Sequence, residues 1–317
     1  MKTKFLILII CITILASVIG CSPTTIEEKS ETEKQSVESV FPLSFTDGLG
    51  KEIILEAYPQ KIISLAPSNT EILFAIGARQ QVIGRDFFSD YPVEALELPV
   101  IGDMTGNNLE VITDLQPDLV LAAEINSPDD IQAIEDLGFT VYTLSNPLDL
   151  DGLYENLRIM AQLSGHEDEA ETLITSLKSQ VEEVVALMKD VETRPRIFYE
   201  LDASDSAKPW TVGQGTYHEL MIQMAGGENI GSIFDTPYPQ ISQEELILQN
   251  PEIILLSDAM WGITAEMVAE RPGWSSIKAV QNKAIYPFDA NLLDRPGPRM
   301  VQGLIELAHL IHPEIMD

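Results

Sequence analysis

The sequence has few cysteines and few basic residues. Of its 317 residues only 2 are cysteine, and 19 lysines and arginines stand against 50 aspartates and glutamates, a formal charge of −31. Two cysteines are too few for a disulfide-stabilised protein, and the acidic excess disfavours nucleic-acid binding, because lysine and arginine neutralise phosphates. A hydrophobic content of 45% excludes intrinsic disorder, and the length predicts about two domains.

Recognisable enzyme motifs are also missing. The sequence has no G-x-x-x-x-G-K-[ST] phosphate loop, no G-x-S-x-G turn and no H-E-x-x-H pair, and Gly213-Gln-Gly215 lacks the third glycine of a dinucleotide fingerprint. A surface hydrolase would need a catalytic group of this kind. We therefore expect a protein that is not an enzyme.

Histidine is rare as well, with four residues in the chain. His309 and His312 lie three residues apart on a predicted C-terminal helix, but zinc needs three or four convergent ligands. We interpret the pair as a solvated helix end. A receptor for free Zn or Mn ions would need clustered histidines and carboxylates, so neither a metal site nor a cofactor is expected.

The N-terminus has the features of a secretory signal. Lys2 and Lys4 precede an uncharged apolar run over residues 5–19, and Val18-Ile19-Gly20-Cys21 matches a bacterial lipobox. Cleavage before Cys21 would remove a signal peptide of residues 1–20 and leave a lipidated cysteine as membrane anchor. The alternative is an uncleaved anchor, although a spanning helix needs about 20 apolar residues.

Removal of this signal leaves no thiol in the folded region, because Cys11 is cleaved off and Cys21 is acylated. The basic count then falls from 19 to 17 against 50 acidic residues, a charge of −33. Residues 21–40 are rich in Ser, Thr, Glu and Lys and almost free of apolar side chains, which predicts a flexible acidic tether.

The folded region is predicted to begin near Phe41 with a small β-ribbon. Two short stretches, 43–45 and 51–55, flank an Asp47-Gly48 hairpin signal. After the β-branched run 61–66, the segment Ser68-Asn69-Thr70-Glu71 has the pattern of a capping box. It predicts the start of a helix that ends at Gly77.

From there strands and helices alternate, which predicts parallel βα units. Strands are predicted over 81–84, 118–123, 140–144, 196–201, 252–257 and 284–287, and helices over 109–116, 128–137, 149–164, 216–225, 242–249 and 297–311. Apolar residues at helical spacing predict one long helix over 167–191. The expected fold class is α/β, with lobes at 41–165 and 194–317 joined by a bridging helix at 166–193.

The sequence of the second lobe partly repeats that of the first. Glu110 lies seven residues before Pro117, which leads into a buried strand, and Glu244 lies seven residues before Pro251, which does the same. Two similar lobes place the C-terminal ends of their sheets on either side of a cleft, where open α/β sheets take their ligands.

Six short motifs follow one another along the folded region. They are K-I-I-S-L-A-P-S-N-T-E-I-L-F-A-I-G at 61–77, S-D-Y-P at 89–92, G-D-M-T-G-N-N-L-E at 102–110, P-D at 117–118, G-G-E-N-I at 226–230 and R-P-G-P-R at 295–299. Their order and spacing resemble the substrate-binding lipoproteins of ABC importers for cobalamin and ferric siderophores, and most closely the cobalamin-binding members, over residues 41–313. The resemblance implies the class III periplasmic binding protein fold, in which a rigid helix bridges two lobes with parallel-type sheets and hinge motion is small.

The resemblance also implies a ligand site in the cleft. Its expected residues are Phe88, Tyr91, Met104, Trp210, Tyr238, Asn291 and Arg295. A tryptophan that the family pattern would place at the end of strand 118–123 is Ala123 here. Phe87 and Leu292 would extend the apolar surface.

Two ligand classes remain open at this point. A corrinoid is broad and amphipathic, and needs flat apolar side chains with a few hydrogen-bonding groups, which this set supplies. Ferric siderophores are often anionic and are met by arginines, and the basic side chains on offer are Arg85, Lys208, Arg295 and Arg299. We expect Arg299 to pair structurally and Arg295 to face the cleft. A corrinoid is therefore favoured, with a ferric siderophore or haem as the alternative.

Glu110 and Glu244 each begin a predicted helix at an equivalent place in its lobe. In the family such carboxylates dock onto arginines of the permease dimer; the alternative is stabilisation of the helix dipole. The implied partners are an ABC permease dimer with its ATPase subunits and a membrane reached through the lipid on Cys21. We expect a monomer that binds no nucleic acid, on the bacterial cell membrane and facing the periplasm or the cell exterior.

Overall fold

The computed structural model describes residues 41–103 and 106–316, and of Asp103 only the backbone. The predicted signal peptide, the lipidated Cys21 and the tether over 21–40 lie outside the described residues. Met104, one of the expected ligand residues, lies outside them too.

The described region opens with the predicted β-ribbon. Strands Leu43–Thr46 (β1) and Glu52–Leu55 (β2) pair antiparallel. The carboxylate of Asp47 holds the turn, because it accepts the N–H groups of Leu49 and Lys51 at 3.0 and 2.8 Å. The hairpin predicted from Asp47-Gly48 is thus confirmed.

The first lobe is a parallel sheet covered by helices. Its strands are Ile62–Ser64 (β3), Val82–Arg85 (β4), Gly102–Asp103 (β5), Gly106–Asn107 (β6), Leu119–Ala123 (β7) and Val141–Leu144 (β8). Its helices are Pro67–Ala75 (α1), Leu109–Leu115 (α2), Pro128–Asp136 (α3) and Leu150–Ser164 (α4). The strand order is β4-β3-β7-β8, all parallel, and β5 and β6 form a separate antiparallel ribbon.

One long helix, Glu167–Met188 (α5), connects the lobes. Its apolar stripe, which includes Leu177, Val184 and Met188, is buried. These residues belong to an apolar cluster that also contains Leu157 of the first lobe and Leu304 of the second. A shared, close-packed core resists relative movement of the parts that it joins, which accords with the small hinge motion expected.

The second lobe is built in the same way. Its strands are Arg196–Asp202 (β9), Trp210–Thr211 (β10), Glu228–Asn229 (β11), Ile253–Leu256 (β12) and Ile285–Pro287 (β13). Its helices are Tyr217–Met224 (α6), Gln243–Gln249 (α7), Ala265–Ala269 (α8), Lys278–Gln281 (α9), Met300–Ile311 (α10) and Pro313–Met316 (α11). The sheet order is β10-β9-β12-β13, with β11 also paired to β9; β10 alone runs antiparallel.

The internal repeat is visible in the structure as well as in the sequence. Helices α2 and α7 each have seven residues and begin 134 positions apart. Asn108 and Ser242 cap their N-termini with side-chain oxygens, and each helix ends in a left-handed residue, Gln116 at φ 51° and Asn250 at φ 47°. Each then leads through a proline into a buried parallel strand. The α/β fold with two similar lobes is confirmed.

The predicted capping box at residues 68–71 is wrong. Helix α1 begins at Pro67, which has no N–H to cap and whose fixed φ suits the first helical position. Asn69 is buried and donates instead to the carbonyls of Leu121 and Ala122 on β7, at 3.2 and 3.0 Å. Glu71 turns away from the helix start altogether.

The solvated helix end predicted at the C-terminus is also wrong for one of its two histidines. His309 is exposed, but His312 is buried, and its Nε2 lies 3.2 Å from the carbonyl oxygen of Gly226. A Cβ on Gly226, which has φ 83°, would lie 2.7 Å from that ring, so the contact requires glycine. His312 is therefore part of the packing between α10 and the turn after α6.

Candidate functional site

Ion pairs join the two lobes near the C-terminal ends of their parallel strands. Arg295, in the loop before α10, extends from the second lobe to Asp90 of the first, with Nη1 2.6 Å from Oδ1. The same Nη1 lies 3.7 Å from Glu71 of α1. Two carboxylates of this chain therefore lie beside the charge of Arg295.

Arg299 forms the second bridge between the lobes. Its Nε and Nη2 donate to the two oxygens of Glu71 at 2.8 and 2.5 Å, and its guanidinium lies 3.9 Å from the centroid of the Tyr91 ring. A bidentate pair with an aromatic ring stacked on it fixes both side chains. Arg299 is therefore structural, and one face of Tyr91 is occupied by a cation of this protein.

Phe88 lies in the loop after β4, beside Phe87. Both rings are exposed, and they meet edge to face at 5.3 Å. The carboxylate of Asp86 accepts the N–H of Phe88 at 2.8 Å and also the hydroxyl of buried Ser89. This loop therefore presents two aromatic rings on a backbone that buried polar groups hold in place.

Trp210 and Tyr238 lie together on the opposite lobe. Trp210 forms an antiparallel bridge with Gln240, and the N–H of Thr211 donates to the carbonyl of Pro239 at 2.9 Å. Side chains alternate along paired strands, so Tyr238 shares a face with Trp210. Both are about half exposed. Two of the expected residues thus lie on one face of these paired segments.

Gly213 allows the two segments to approach. Its N–H donates to the carbonyl of Pro237 at 2.7 Å, and a Cβ at this position would lie 2.0 Å from the carbonyl oxygen of Thr236. No side chain fits there. Gly213 therefore lets the segment that carries Tyr238 lie close to β10.

A partly buried cluster of polar side chains packs against Tyr238. His218 stacks on Tyr217 at 4.2 Å between ring centroids, and it meets Tyr238 edge to face at 6.2 Å. Asp294 organises the cluster, because its Oδ1 lies 3.1 Å from both His218 Nε2 and the Tyr199 hydroxyl. Neither Asp294 nor His218 was recognised from the sequence, where an isolated Asp beside Arg295 carries no signal.

The ionisation of Tyr238 reflects this setting. Burial raises its pKa, and the carboxylates of Asp294 and, across the cleft, Glu124 raise it further, while the hydrogen bond with Tyr217 opposes them. The phenol therefore stays neutral at physiological pH and keeps its proton for hydrogen bonding.

The other residues considered from the sequence, Asn291, Leu292 and Ala123, differ in their exposure to solvent. Asn291 is half-buried in a turn capped by Asp289, whose carboxylate accepts its N–H at 3.0 Å. Leu292, which was expected to extend the apolar ligand surface, is buried in the core, and that expectation is wrong. Ala123 is also buried, so no aromatic ring projects from the end of β7.

Glu110 and Glu244 are both exposed, and each is the second residue of its helix, α2 and α7. The first-turn position satisfies the dipole interpretation, because an acid there lies near unpaired N–H groups. Their matched positions on the two lobes are the feature that dipole stabilisation alone does not require.

Two further properties of the described chain bear on its function. Within residues 41–103 and 106–316, no group of three or more His, Cys, Asp or Glu side chains is placed to hold a metal ion. Across the same residues, no helix combines the length and apolarity needed to cross a bilayer.

Comparison with known proteins gives a consistent result. A family model described as periplasmic binding protein matches residues 62–292. The uncharacterized ABC transporter substrate-binding lipoprotein YvrC of Bacillus subtilis (strain 168) is 32% identical over 298 residues, which cover 93% of this chain and 93% of that one.

Solved structures share the fold. The vitamin B12-binding protein BtuF of Vibrio cholerae has a TM-score of 0.68 and 28% identity, covering 81% of this chain and 98% of its own. The haem-binding protein RhuT of Roseiflexus sp. RS-1 has a TM-score of 0.73 and 25% identity, covering 81% and 99%. With its two mainly parallel sheets, its bridging helix and a family match over most of its length, this chain belongs to the periplasmic binding protein family.

Proposed function

We propose that this protein is the substrate-binding lipoprotein of an ABC importer and that it captures a corrinoid in the cleft between its lobes. The importer class is supported by the Bacillus subtilis relative, whose name gives that role. Members of the family bind and release ligands and are not enzymes. One observation carries the corrinoid assignment: the cleft arginines are already paired with carboxylates of this chain.

The charge balance of the cleft is the core of the argument. Arg299 is held by Glu71, and Arg295 by Asp90 and Glu71. Arg85, the third candidate, is buried and donates to the carbonyls of Ala95 and Asp86 at 2.9 and 3.0 Å. Lys208, the fourth, is exposed beside Pro209. A polyanion would have to displace these partners, and leaving a charged pair uncompensated costs several kcal/mol.

The uncharged surface of the cleft suits a neutral macrocycle. Phe88 on one side and Trp210 with Tyr238 on the other offer flat apolar faces. The neutral Tyr238 hydroxyl and the Asn291 amide offer hydrogen bonds of the kind that rim amides of a corrin ring accept and donate. This combination of flat surfaces and neutral polar groups matches a corrinoid better than a carboxylate-rich chelate.

Haem or a ferric siderophore is the alternative ligand. The haem-binding structure has the higher TM-score, 0.73 against 0.68 for the vitamin B12-binding one, so the fold does not favour the corrinoid. Haem carries two propionates, and both would compete with Asp90 for Arg295. A haem complex would therefore require that ion pair to open.

The partner surface is proposed to include Glu110 and Glu244. Two exposed carboxylates at equivalent positions on two lobes fit a permease made of two equivalent subunits, each offering a basic side chain. A cavity of about 610 Å³ beside Glu110, lined in part by Val100 and Asn107, gives room for such a side chain. The ATPase subunits would act through the permease.

Membrane attachment is proposed through Cys21 and the tether over 21–40, which place a monomer at the outer side of the cell membrane. No nucleic-acid partner is proposed, because the chain is strongly acidic.

A ligand titration tests the proposed function. The chain from Ser22 onward would be titrated calorimetrically with cyanocobalamin, haem and a set of ferric siderophores. We expect saturable one-to-one binding of cyanocobalamin that is tighter than binding of any other compound. Saturation by a siderophore or haem alone would overturn the corrinoid assignment and leave the importer class standing.

A further inference from the structure

We propose that Met260 and Trp261, in the turn after β12, form an additional apolar wall of the ligand cleft and pack against a face of the bound macrocycle. The inference deepens the proposed function and rests on it for the ligand class, a broad ring with apolar faces. Neither residue was expected from the sequence to contact the ligand.

The turn lies on the same edge of the sheet as the other site residues of its lobe. β12 ends at Leu256, and a 3-10 helix over Ser257–Trp261 follows at once. C-terminal ends of parallel strands share one edge of a sheet, so this turn lies between the segment that carries Trp210, next to β9, and the turn that carries Asn291, after β13.

Two partly buried hydrogen bonds anchor the start of the turn. The hydroxyl of Ser257 donates to Oδ2 of Asp294 at 2.6 Å, and Oδ2 of Asp258 accepts the N–H of Ala203 at 3.2 Å. Gly262, at φ 93°, ends it. The turn is therefore tied to the same carboxylate, Asp294, that organises the cluster behind Tyr238.

Exposure changes sharply along this anchored turn. Ser257 and Asp258 are buried, whereas Met260 and Trp261 are 49% and 69% exposed. Trp274, in the core of the same lobe, is fully buried. A large aromatic held in solvent by a well-anchored backbone is typical of a binding surface, because it covers apolar area on a partner at low entropic cost.

The first lobe offers no aromatic ring in the turn after β7. The turn after β7 begins with buried Ala123 and provides no ring at the equivalent place. A broad macrocycle against the cleft would contact Phe88 from the first lobe but would lack a second aromatic there. Trp261 supplies that area from the second lobe, and the flexible thioether of Met260 adapts to an irregular surface beside it.

We propose that the ligand contacts Met260 and Trp261. The competing possibility is that the permease contacts them instead. Both occupants would cover Trp261 in some state of the transport cycle. Only ligand packing predicts a change in the affinity of the isolated protein for a macrocycle.

The test compares Trp261→Ala with Leu248→Ala by calorimetric titration with cyanocobalamin and with haem. Leu248 is a matched exposed apolar residue in the last turn of α7, which leads into the opposite end of β12. We expect Trp261→Ala to weaken binding of the ligand that the wild type takes by about 10-fold, Trp261→Phe to restore most of it, and Leu248→Ala to change it less than 2-fold. Equal melting temperatures would show that all variants fold.

The outcomes separate the two proposals. If the wild type binds haem rather than cyanocobalamin and Trp261→Ala weakens haem binding, the wall stands and the corrinoid assignment falls. If the wild type binds cyanocobalamin and Trp261→Ala leaves that affinity unchanged, the wall is wrong, whether or not uptake in cells suffers. A wild type that binds no macrocycle overturns both.

Discussion

The turns after β7 and β12 differ, although the helix–strand units that precede them are alike. Helices α2 and α7 match in length, cap and left-handed end. At the next equivalent positions, Glu124 is exposed, whereas Asp258 is buried beside Glu200. The first turn carries no ring, and the second carries Trp261.

The difference follows the symmetry of what each part is proposed to contact. A permease dimer offers two equivalent surfaces, so the helices that present Glu110 and Glu244 stay matched. A single ligand lies in one orientation between the lobes, so the turns over it need not match. The repeat is therefore kept at the proposed docking surface and lost at the proposed ligand surface.

Reversing the charges of the two matched glutamates should have the largest effect of the changes proposed here, and it should act on ligand uptake. Glu110→Lys with Glu244→Lys should reduce uptake about 100-fold, because two charge-assisted contacts become repulsive, while ligand affinity stays within 2-fold. Uptake of labelled ligand in cells with the cognate permease measures the first, and calorimetry the second. Glu183→Lys, an exposed acid on α5, is the control and should transport normally. Loss of ligand binding in the double variant would contradict the docking role.

The link between the lobes should dominate stability. Glu71→Gln leaves Arg299 with a weaker partner in a buried site and should lower the free energy of unfolding by roughly 3 kcal/mol. Glu171→Gln removes the same charge from the exposed Arg158 pair and should lower the free energy of unfolding much less, because solvent screens a surface ion pair. Urea unfolding measures both. Equal losses would mean that the Glu71 contact is no stronger than a surface pair.

The aromatic part of the second lobe should set ligand affinity. Trp210→Ala should weaken binding about 10-fold through lost apolar contact, and Tyr238→Phe about 3-fold through one lost hydrogen bond. Titration calorimetry gives both values. Val185→Ala, on the exposed face of α5, is the control and should bind like the wild type. An unchanged affinity in Trp210→Ala would move the ligand away from this side of the cleft.

The buried acid should give the smallest effect, visible through pH. Burial and the Glu200 carboxylate raise the pKa of Asp258 from 3.8 to about 7, against the opposing charge of Arg271. Because the folded-state pKa is the higher one, the stability associated with protonated Asp258 is complete below pH 3.8 and lost as the pH rises through 7. Asp258→Asn should therefore be more stable than the wild type at pH 8, by about 1–2 kcal/mol, and near equal to it at pH 4.

The matched control for that experiment is Glu124→Gln in the first lobe. Glu124 is exposed, so its substitution should leave the pH dependence of urea unfolding as in the wild type. If Asp258→Asn and the wild type lose stability in parallel between pH 4 and pH 8, the buried acid does not titrate in this range.

Local patterns in the sequence predicted most of the fold. Alternating strands and helices, the apolar spacing of α5 and the Asp47-Gly48 hairpin each depend on residues close in the chain, and the structure confirms them. The repeat could be read because Glu110 and Glu244 precede their prolines by the same number of residues.

Contacts between residues far apart in the chain could not be predicted from local sequence patterns. Glu71 looked like a capping residue because its partner, Arg299, lies 228 positions away. His312 looked solvated because the backbone of Gly226, which packs against it, is 86 positions away. In the candidate site, side-chain identity nominated Trp210 and Tyr238, but the neutralisation of Arg295 by Asp90 depends on two lobes meeting and has no sequence signal.

The salt dependence of ligand affinity tests most directly whether the cleft arginines are neutralised. The dissociation constant of the bound ligand would be measured by calorimetry at 50 and 500 mM NaCl. Tight cyanocobalamin binding that changes less than 2-fold between the two is expected, because a neutral ligand makes no net ionic contact with paired arginines. An anionic chelate as the preferred ligand, with affinity falling steeply as salt rises, would contradict it and show that Arg295 is available to the ligand.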